Sequence, residues 1–307
     1  MGINKNIQYS IIIPHRNRPH LLLRLLGSIP PRDDIQVIVV DDNSESSIAN
    51  ADFFRKIESQ GIVVIRLEKC RGAGHARNLG LQHAKGTWVL FADCDDYFIT
   101  IPFSTLLATP KPNNCEVLVW NAEFISDKET HQYQTDLTPF VCHTDTDSLY
   151  LNHLPVWTKM IRQDIIEKTP IRFEETMHAN DVMFAAILSQ EITCYHTTAT
   201  SIYVYDTTSS HLTKSRALGS ILTRTNAELR ALCYLKKKGK FIWHGPYWLG
   251  ELCRKNYHIY LFFILRCLIH LGVQHTKYMY TFSCRSVGVS PTPYKTFIKR
   301  KGRWINK

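Results

Sequence analysis

At 307 residues, with 44% hydrophobic and 21% charged residues, the chain is long and apolar enough to bury a core without cross-links. This excludes a disordered polypeptide and a small disulfide-stapled scaffold. Its nine cysteines are odd in number and include no CxxC pair. Spacings such as Cys70, Cys94, Cys115 and Cys142 match no disulfide or zinc framework, so reduced, mostly buried thiols in a cytosolic compartment are expected. The net charge of +10 is unevenly spread: residues 207–307 hold 19 basic and 2 acidic side chains, which leaves −7 on the first 206. That asymmetry implies an anionic partner for the C-terminal third. Aromatic residues mixed with cations at 241–248 and in the ending YKTFIKRKGRWINK suit an anionic membrane surface. They suit a nucleic-acid groove equally well.

The first hundred residues alternate β-branched runs with helical patterns, the signature of a parallel sheet with crossover helices. Residues 9–13 (YSIII) read as a strand that stops at Pro14. A helix over 20–28 follows, with Leu21, Leu22, Leu25 and Leu26 on one apolar face. Residues 35–40 form a second buried strand ending in Asp41-Asp42-Asn43-Ser44, residue types that cap helices, and 47–60 read as a helix closed by Gly61. A third strand at 62–66, a helix at 74–85 closed by Gly86, and a fourth strand at 87–92 complete a nucleotide-binding α/β half. Beyond residue 100 the pattern loosens. Residues 116–124 look like a strand, 130–148 are polar with little periodicity, 157–166 and 179–189 look helical, and 192–205 are strand-rich. From Arg216 onward the pattern is helical. The apolar segment 259–273 is interrupted by Arg266 and His270 and is shorter than the roughly 18–20 residues of a spanning helix. It reads as a buried or interfacial helix. The opening MGINKNIQ lacks the apolar core of a leader, so none is expected.

In open α/β sheets, ligands bind beyond the carboxyl ends of the strands. Three of the four strands end there in polar clusters: Pro14-His15-Arg16-Asn17-Arg18, Asp41-Asp42-Asn43, and Asp93-Cys94-Asp95-Asp96. An acidic pair after a strand also serves as a helix cap, so Asp41 and Asp42 carry little weight alone. Three carboxylates within four residues repel each other and call for a counter-charge. A divalent ion with oxygen ligands, Mg²⁺ or Mn²⁺, supplies it and keeps positions open for phosphate oxygens. The segment from Gly72 to Gly80 is neither a GxGxxG nor a GxxxxGK[ST] motif, so a P-loop ATPase is disfavoured. Its glycines can still bring backbone amides near phosphates at a helix start.

Together SIIIPHRNRP, VIVVDDNS, GAGHARNLG and WVLFADCDDYF resemble, in order and spacing, the inverting GT-A glycosyltransferases of family 2. PVWTKMIRQDII and RFEETMHANDVMFAAIL extend the resemblance over residues 8 to 210. It implies an α/β, Rossmann-like, mostly parallel sheet flanked by helices, with a helical basic C-terminal extension. The implied division is a GT-A domain over 1–210, with a nucleotide-binding half at 1–100 and an acceptor half at 101–210. A helical, basic, membrane-associating region would follow at 211–307. By resemblance, Pro14, Arg16 and Asn17 line the nucleobase and ribose, with Arg16 standing where many members have an aromatic residue. Asp41 hydrogen-bonds the base, and Arg77 and Asn78 sit beside the donor. Asp93 reaches the ribose or the metal, Asp95 binds the Mn²⁺ or Mg²⁺ that bridges the diphosphate, and Asp96 assists either task. Asp181 is the candidate general base, placed on the acceptor side to take the hydroxyl proton during in-line attack; Glu174 and Glu175 are the fallbacks. The plain alternative for Asp181 is a helix-start carboxylate. Trp157 and Lys159 match the acceptor-side segment, although a core tryptophan fits as well. His211 falls where a loop could close over the diphosphate.

The QxxRW motif of processive members is absent, which implies addition of one sugar per encounter. The expected donor is a nucleotide-diphosphate sugar, most simply a UDP-sugar, and the expected acceptor a glycan or lipid-linked hydroxyl in polysaccharide synthesis. The expected location is cytoplasmic, with peripheral contact to an anionic membrane. Two other readings compete. A nucleotidyltransferase would need a Gly-rich basic loop on the first strand, and PHRNRP has no glycine. A nucleic-acid-binding protein would leave the three strand-end carboxylates unexplained, so nucleic acid is not an expected partner.

Overall fold

A computed structural model describes residues 6–125, 137–152, 155–206, 208, 215–240 and 248–272. In chain order the elements are β1 (Tyr9–His15), α1 (Pro19–Ser28), β2 (Ile35–Asp41), α2 (Ala51–Glu58), β3 (Val63–Arg66), α3 (Ala73–His83) and β4 (Trp88–Phe91). There follow β5 (Tyr97–Phe98), α4 (Thr100–Ala108), β6 (Val117–Ile125), β7 (Val141–His143), α5 (Asp147–Asn152) and a 3-10 turn (Val156–Thr158). The remainder are β8 (Lys159–Arg162), α6 (Gln163–Lys168), α7 (Val182–Glu191), β9 (Tyr195–Asp206), α8 (Leu218–Lys237), α9 (Trp248–Lys255) and α10 (Tyr257–Leu271). The chain forms two compact units, residues 1–214 and 215–307.

The first unit is built on one nine-stranded sheet, ordered β3-β2-β1-β4-β8-β6-β9-β5, with β7 also on β9. The four parallel strands expected from the first hundred residues stand together as β3-β2-β1-β4. β1, β4 and the carboxyl half of β2 are buried between crossover helices and read as continuous β-branched runs, while β3 at the sheet edge is half-buried. Ile11 and Ile13 face one core cluster with Leu22, Leu25 and Phe54. Ile12, Ile38 and Val40 face the other, with Ala76, Phe91 and Phe184. The period of two along β1 thus divides its side chains between the layers. Beyond β4 the sheet turns mixed: β8 runs antiparallel to β4 and β6, β9 is parallel to β6, and β5 and β7 are antiparallel to β9.

The helix expected over 157–166 is corrected: the chain makes a 3-10 turn, the strand β8 and only then the short α6. Pairing overrides the helical spacing, because Lys159–Arg162 fills the slot between β4 and β6 and buries Met160 and Ile161 completely. The polar stretch 130–148 contains β7 and the start of α5, while residues 126–136 lie outside the described set. The helix α4 escaped the sequence reading because it buries Pro102, Phe103, Leu106 and Leu107 and has almost no amphipathic contrast.

The second unit is helical where described. Arg224 and Arg216 lie 4.3 and 4.8 Å over the Trp248 ring, and Arg266 donates to Asn226 at 2.7 Å. The segment read as buried or interfacial is α10, with Tyr260, Phe263, Cys267 and Leu271 inward and Leu261, Phe262, Leu265, Leu268 and Ile269 exposed. Among the described residues, no helix is long and apolar enough to cross a membrane. His211, most of 241–248 and the basic ending lie outside the described residues.

Candidate active site

Because β2, β1 and β4 are adjacent and parallel, their carboxyl ends open on one edge of the sheet. Register places His15 opposite Asp41, and its Nδ1 lies 2.8 Å from Asp41 Oδ1. Ser44 donates to Asp41 through both Oγ, at 2.5 Å, and its backbone N–H, at 3.0 Å. Burial pushes the Asp41 carboxyl up, but these hydrogen bonds and the His15 ring outweigh it and hold the group below its ordinary value. Asp42 accepts from the N–H groups of Arg71 and Gly72 at 2.7 and 2.9 Å, and from the Cys70 thiol at 3.1 Å. Asn17, left-handed at φ 53°, receives the Glu45 N–H and donates its own N–H to Ser44. Arg16 donates to Cys70 at 2.9 Å. The loop carrying Pro14, Arg16 and Asn17 is therefore joined to the loops after β2 and β3 in one hydrogen-bonded rim.

The three aspartates after β4 have three different environments. Asp93 accepts from Arg77 Nη2 at 2.5 Å, and its N–H donates to the Tyr203 hydroxyl at 2.9 Å. Asp95 is partly exposed; Arg18 approaches its Oδ2 at 3.9 Å, and Arg24 donates to its carbonyl oxygen at 2.5 Å. Asp96 is fully buried, with Oδ1 accepting the Asp206 N–H at 2.9 Å and Oδ2 left without a partner. Burial raises the Asp96 carboxyl well above its usual range, and the charges of Asp93 and Asp95 add to the rise. Among the described residues the aspartate oxygens do not converge into a preassembled three-ligand set. The donor chemistry nevertheless fits a hard divalent cation, which would take carboxylate oxygens from Asp95 and Asp93 and its remaining ligands from phosphate and water.

A second group reaches this edge from far along the chain. Gly74 and Gly80 in α3 allow close packing: a Cβ on Gly80 would strike the Ile12 side chain, and one on Gly74 the backbone carbonyl of Glu174. The adjacent Asn78 clamps Phe173, donating to its carbonyl at 2.9 Å and accepting its N–H at 2.8 Å. Arg77 uses its other terminal nitrogen to donate to Asn180 Oδ1 at 2.7 Å, so one guanidinium joins Asp93 to the residue before Asp181. Ala179 is held at φ 55°, a left-handed conformation uncommon for a residue with a Cβ. The glycine segment thus allows α3 to pack closely against β1 and the 173–181 loop.

Asp181 stands at the N-cap position of α7, but its side chain makes no capping hydrogen bond. Asp181 is thus a helix-start carboxylate, as the plain alternative expects, but one whose side-chain oxygens are not used as a cap. Burial raises its carboxyl above the ordinary value; Arg77 and Lys159 oppose the rise, and Asp93 adds to it. Lys159 is buried and donates to the Pro155 carbonyl at 2.5 Å. Burial pulls its ammonium down to about 7, with Asp181 resisting. Glu175 is held at 2.7 Å by Arg71 and 2.8 Å by His75, an arrangement that keeps its carboxyl low and makes it a weaker base. Trp157 is nearly buried and stacks on Tyr203 and Tyr205 at 5.1 and 5.4 Å, so its rings face aromatic neighbours in the core. Sequence reasoning placed His15 in the strand-end cluster without a role, and missed Arg24, Asn180, Tyr203 and Asp206 as supports of the site. The sequence offered a signal for His15 alone, which directly follows Pro14 at a strand end.

The profile described as glycosyl transferase family 2 matches residues 10–172, a span that includes the three strand-end clusters and β8. A glucosyltransferase of Escherichia coli named UDP-Glc:alpha-D-GlcNAc-diphosphoundecaprenol beta-1,3-glucosyltransferase WfaP is 38% identical over 71 residues, 23% of this chain and 28% of that one. The poly(ribitol-phosphate) beta-N-acetylglucosaminyltransferase TarS of Staphylococcus aureus is 26% identical over 186 residues, 58% of this chain and 32% of its own length. The chain thus spans about a third or less of these relatives. The crystal structure of S. aureus TarS 1–349 in complex with UDP-GlcNAc shares the fold, with a TM-score of 0.58 and 22% identity, over 74% of this chain and 67% of that one. The strand order, the clustered strand ends and the matched span together place this chain in glycosyl transferase family 2.

Proposed function

We propose that the chain moves one sugar from a nucleotide-diphosphate donor, a UDP-sugar in the simplest reading, to a hydroxyl of a glycan or lipid-linked acceptor in surface-polysaccharide synthesis. The observation that carries this reading is the Arg77 guanidinium, which ties the donor-side Asp93 to Asn180 and so sets the uncapped Asp181 carboxylate beside the strand-end aspartates. The rim from Pro14 to Asn17 and from Asp41 to Cys70 surrounds the nucleoside, with Asp41 oriented by His15 and Ser44. Asp95 and, at its side, Asp93 would hold Mn²⁺ or Mg²⁺, which when bound supplies positive charge to the departing diphosphate. Asp181 accepts the acceptor's proton as its oxygen attacks, and direct displacement inverts the anomeric centre. Burial raises that carboxyl's affinity for a proton, as a proton acceptor needs, while Arg77 and, more weakly, Lys159 limit the rise. The names of the E. coli and S. aureus relatives, which act on lipid-linked and polymer acceptors, support the acceptor class.

Incubation with Mn²⁺ and a panel of nucleotide sugars, following UDP or GDP release, tests the reading. Donor-dependent release that Asp95→Ala abolishes is the expected result. Absence of turnover with every donor, together with salt-sensitive RNA or DNA binding, would overturn it. The exposed apolar side chains of α10 support a peripheral seat on an anionic leaflet. Ile269→Glu should weaken partitioning onto anionic vesicles, and unchanged partitioning would remove that seat.

A further inference from the structure

The sheet brings two cysteines and a histidine together at the β7–β9 pair, away from the strand-end aspartates in sequence. Register places Cys142 directly opposite His196. Cys194 lies two residues before His196, so the period of two turns both side chains to one face, with Cys142 as their cross-strand and diagonal neighbour. The result is three ligand atoms, two sulfurs and one imidazole nitrogen, all within 4.8 Å of one another. Ordinary tetrahedral zinc, with bonds of about 2.3 Å to sulfur and 2.0–2.1 Å to nitrogen, separates its ligands by roughly 3.5–3.8 Å. Side-chain rotation alone can close that difference.

Three further observations point to an ion at this position. His196 is buried, and its Nδ1 has no hydrogen-bond partner, an arrangement costly for a ring nitrogen left dry. Second, the turn that carries Cys194 is held in place: one Glu116 oxygen accepts the Thr193 N–H at 2.6 Å, the Thr193 hydroxyl at 2.9 Å and the Cys194 N–H at 3.1 Å. Third, the Asn114 amide donates to Cys194 Sγ at 3.7 Å, an outer contact of the kind that steadies a metal-bound thiolate. On deprotonation Cys194 would give up its own bond to the Asn114 carbonyl, now 3.2 Å long. Cys142 is exposed on its strand and provides an entry path.

We propose that Cys142, Cys194 and His196 form a zinc site, with the fourth position taken by water. Two thiolates and an imidazole select a borderline-soft ion and set this site apart from the oxygen-rich aspartates, which select Mg²⁺ or Mn²⁺. Binding releases the two thiol protons and ties β7 to the strand that also carries Tyr203 and Asp206.

Cobalt(II) titration of the reduced, metal-free full chain tests this. The expected result is saturation at one equivalent, with thiolate-to-cobalt charge transfer and the visible bands of a tetrahedral ion. Equimolar Zn²⁺ should displace it, and a large excess of Mn²⁺ should not. Cys142→Ser, on an exposed position that keeps the fold intact, should remove the charge-transfer band and weaken affinity at least tenfold, as should His196→Ala. Cys70→Ser, an exposed thiol elsewhere, should leave both unchanged. Zn²⁺ should raise the melting temperature of the parent and not that of Cys142→Ser. The site is refuted by non-saturating cobalt binding, by an unaltered Cys142→Ser titration, or by a Cys142–Cys194 disulfide as the resting form. Displacement by Cu⁺ with no response to Zn²⁺ would overturn the assignment to zinc.

Discussion

Gly74→Ala separates the proposed catalytic role of the 173–181 loop from its role in the fold. A Cβ at Gly74 would lie 3.1 Å from both Asn180 Cβ and the Glu174 carbonyl carbon, and closer still to the Glu174 oxygen, well inside contact distance. Backbone cannot turn aside as a side chain can, so the loop must shift by on the order of 1 Å. A shift of that size at a positioned group costs about 10²-fold in rate. Overpacking costs about 1–3 kcal/mol of stability, which leaves the sheet folded. Gly80→Ala is the control, because its added methyl meets only the Ile12 side chain, 3.3 Å from Cγ1 and nearer to Cγ2. Both variants should melt at lower temperature, but only Gly74→Ala should lose turnover, measured as nucleotide release with donor held saturating. Equal losses of kcat in the two, or full kcat in Gly74→Ala, would refute the claim that this contact positions Asp181.

Asp181→Asn should stop transfer while donor binding persists, and retention of activity within tenfold, a barrier change of about 1.4 kcal/mol or less, would disprove the base. The same variant should be more stable than the parent at neutral pH. Burial raises the folded-state carboxyl, so the folded chain binds that proton more tightly, and stability falls as pH rises from the unfolded to the folded value. Removing the charge removes that loss; an unchanged melting temperature near pH 7 contradicts it. Lys159→Met should move the acidic limb of the rate profile to higher pH, since the ammonium helps keep Asp181 ionised. A limb at the parental pH would show that the two groups do not communicate. Ala179→Gly should relieve the left-handed backbone strain and add about 1 kcal/mol of stability, read by denaturant unfolding; a loss of stability would show the strain is absent.

Much of the fold was legible because β1 to β4 are β-branched runs punctuated by Pro14, Asp41 and Gly86, with β1, β4 and the carboxyl half of β2 buried. β8 was not, since Trp157, Met160 and Ile161 carry a spacing that a helix accepts and only the neighbouring strands decide otherwise. In sequence Asp93, Asp95 and Asp96 are three similar side chains. Packing makes one an Arg77 partner, one a partly exposed oxygen source and one a buried acid. Asn180 went unnoticed because the bond that gives it meaning crosses 103 residues to Arg77. The cysteines hid their grouping for a similar reason: Cys142 and Cys194 meet by strand register, and no fixed spacing encodes a β7–β9 pairing.

Four costly features of the first unit gather at one place. Ala179 is left-handed, Lys159 buries an ammonium, Asp96 buries an oxygen without a partner, and Asp181 holds a raised carboxyl where a capping bond was available. Each opposes folding, the strained residue alone by about 1–3 kcal/mol. A sheet edge with only a structural role would shed them, because single substitutions such as Ala179→Gly remove them without disturbing the core. Their supports are equally local: Asn78 pins Phe173, and Arg77 bridges Asp93 and Asn180, both from the same turn of α3. Strain held by dedicated clamps at the carboxyl ends of the strands is the physical mark of a site organised for chemistry. It distinguishes this edge from the opposite end of the sheet, where Gly86 and Ser10 merely close the β1–β4 packing.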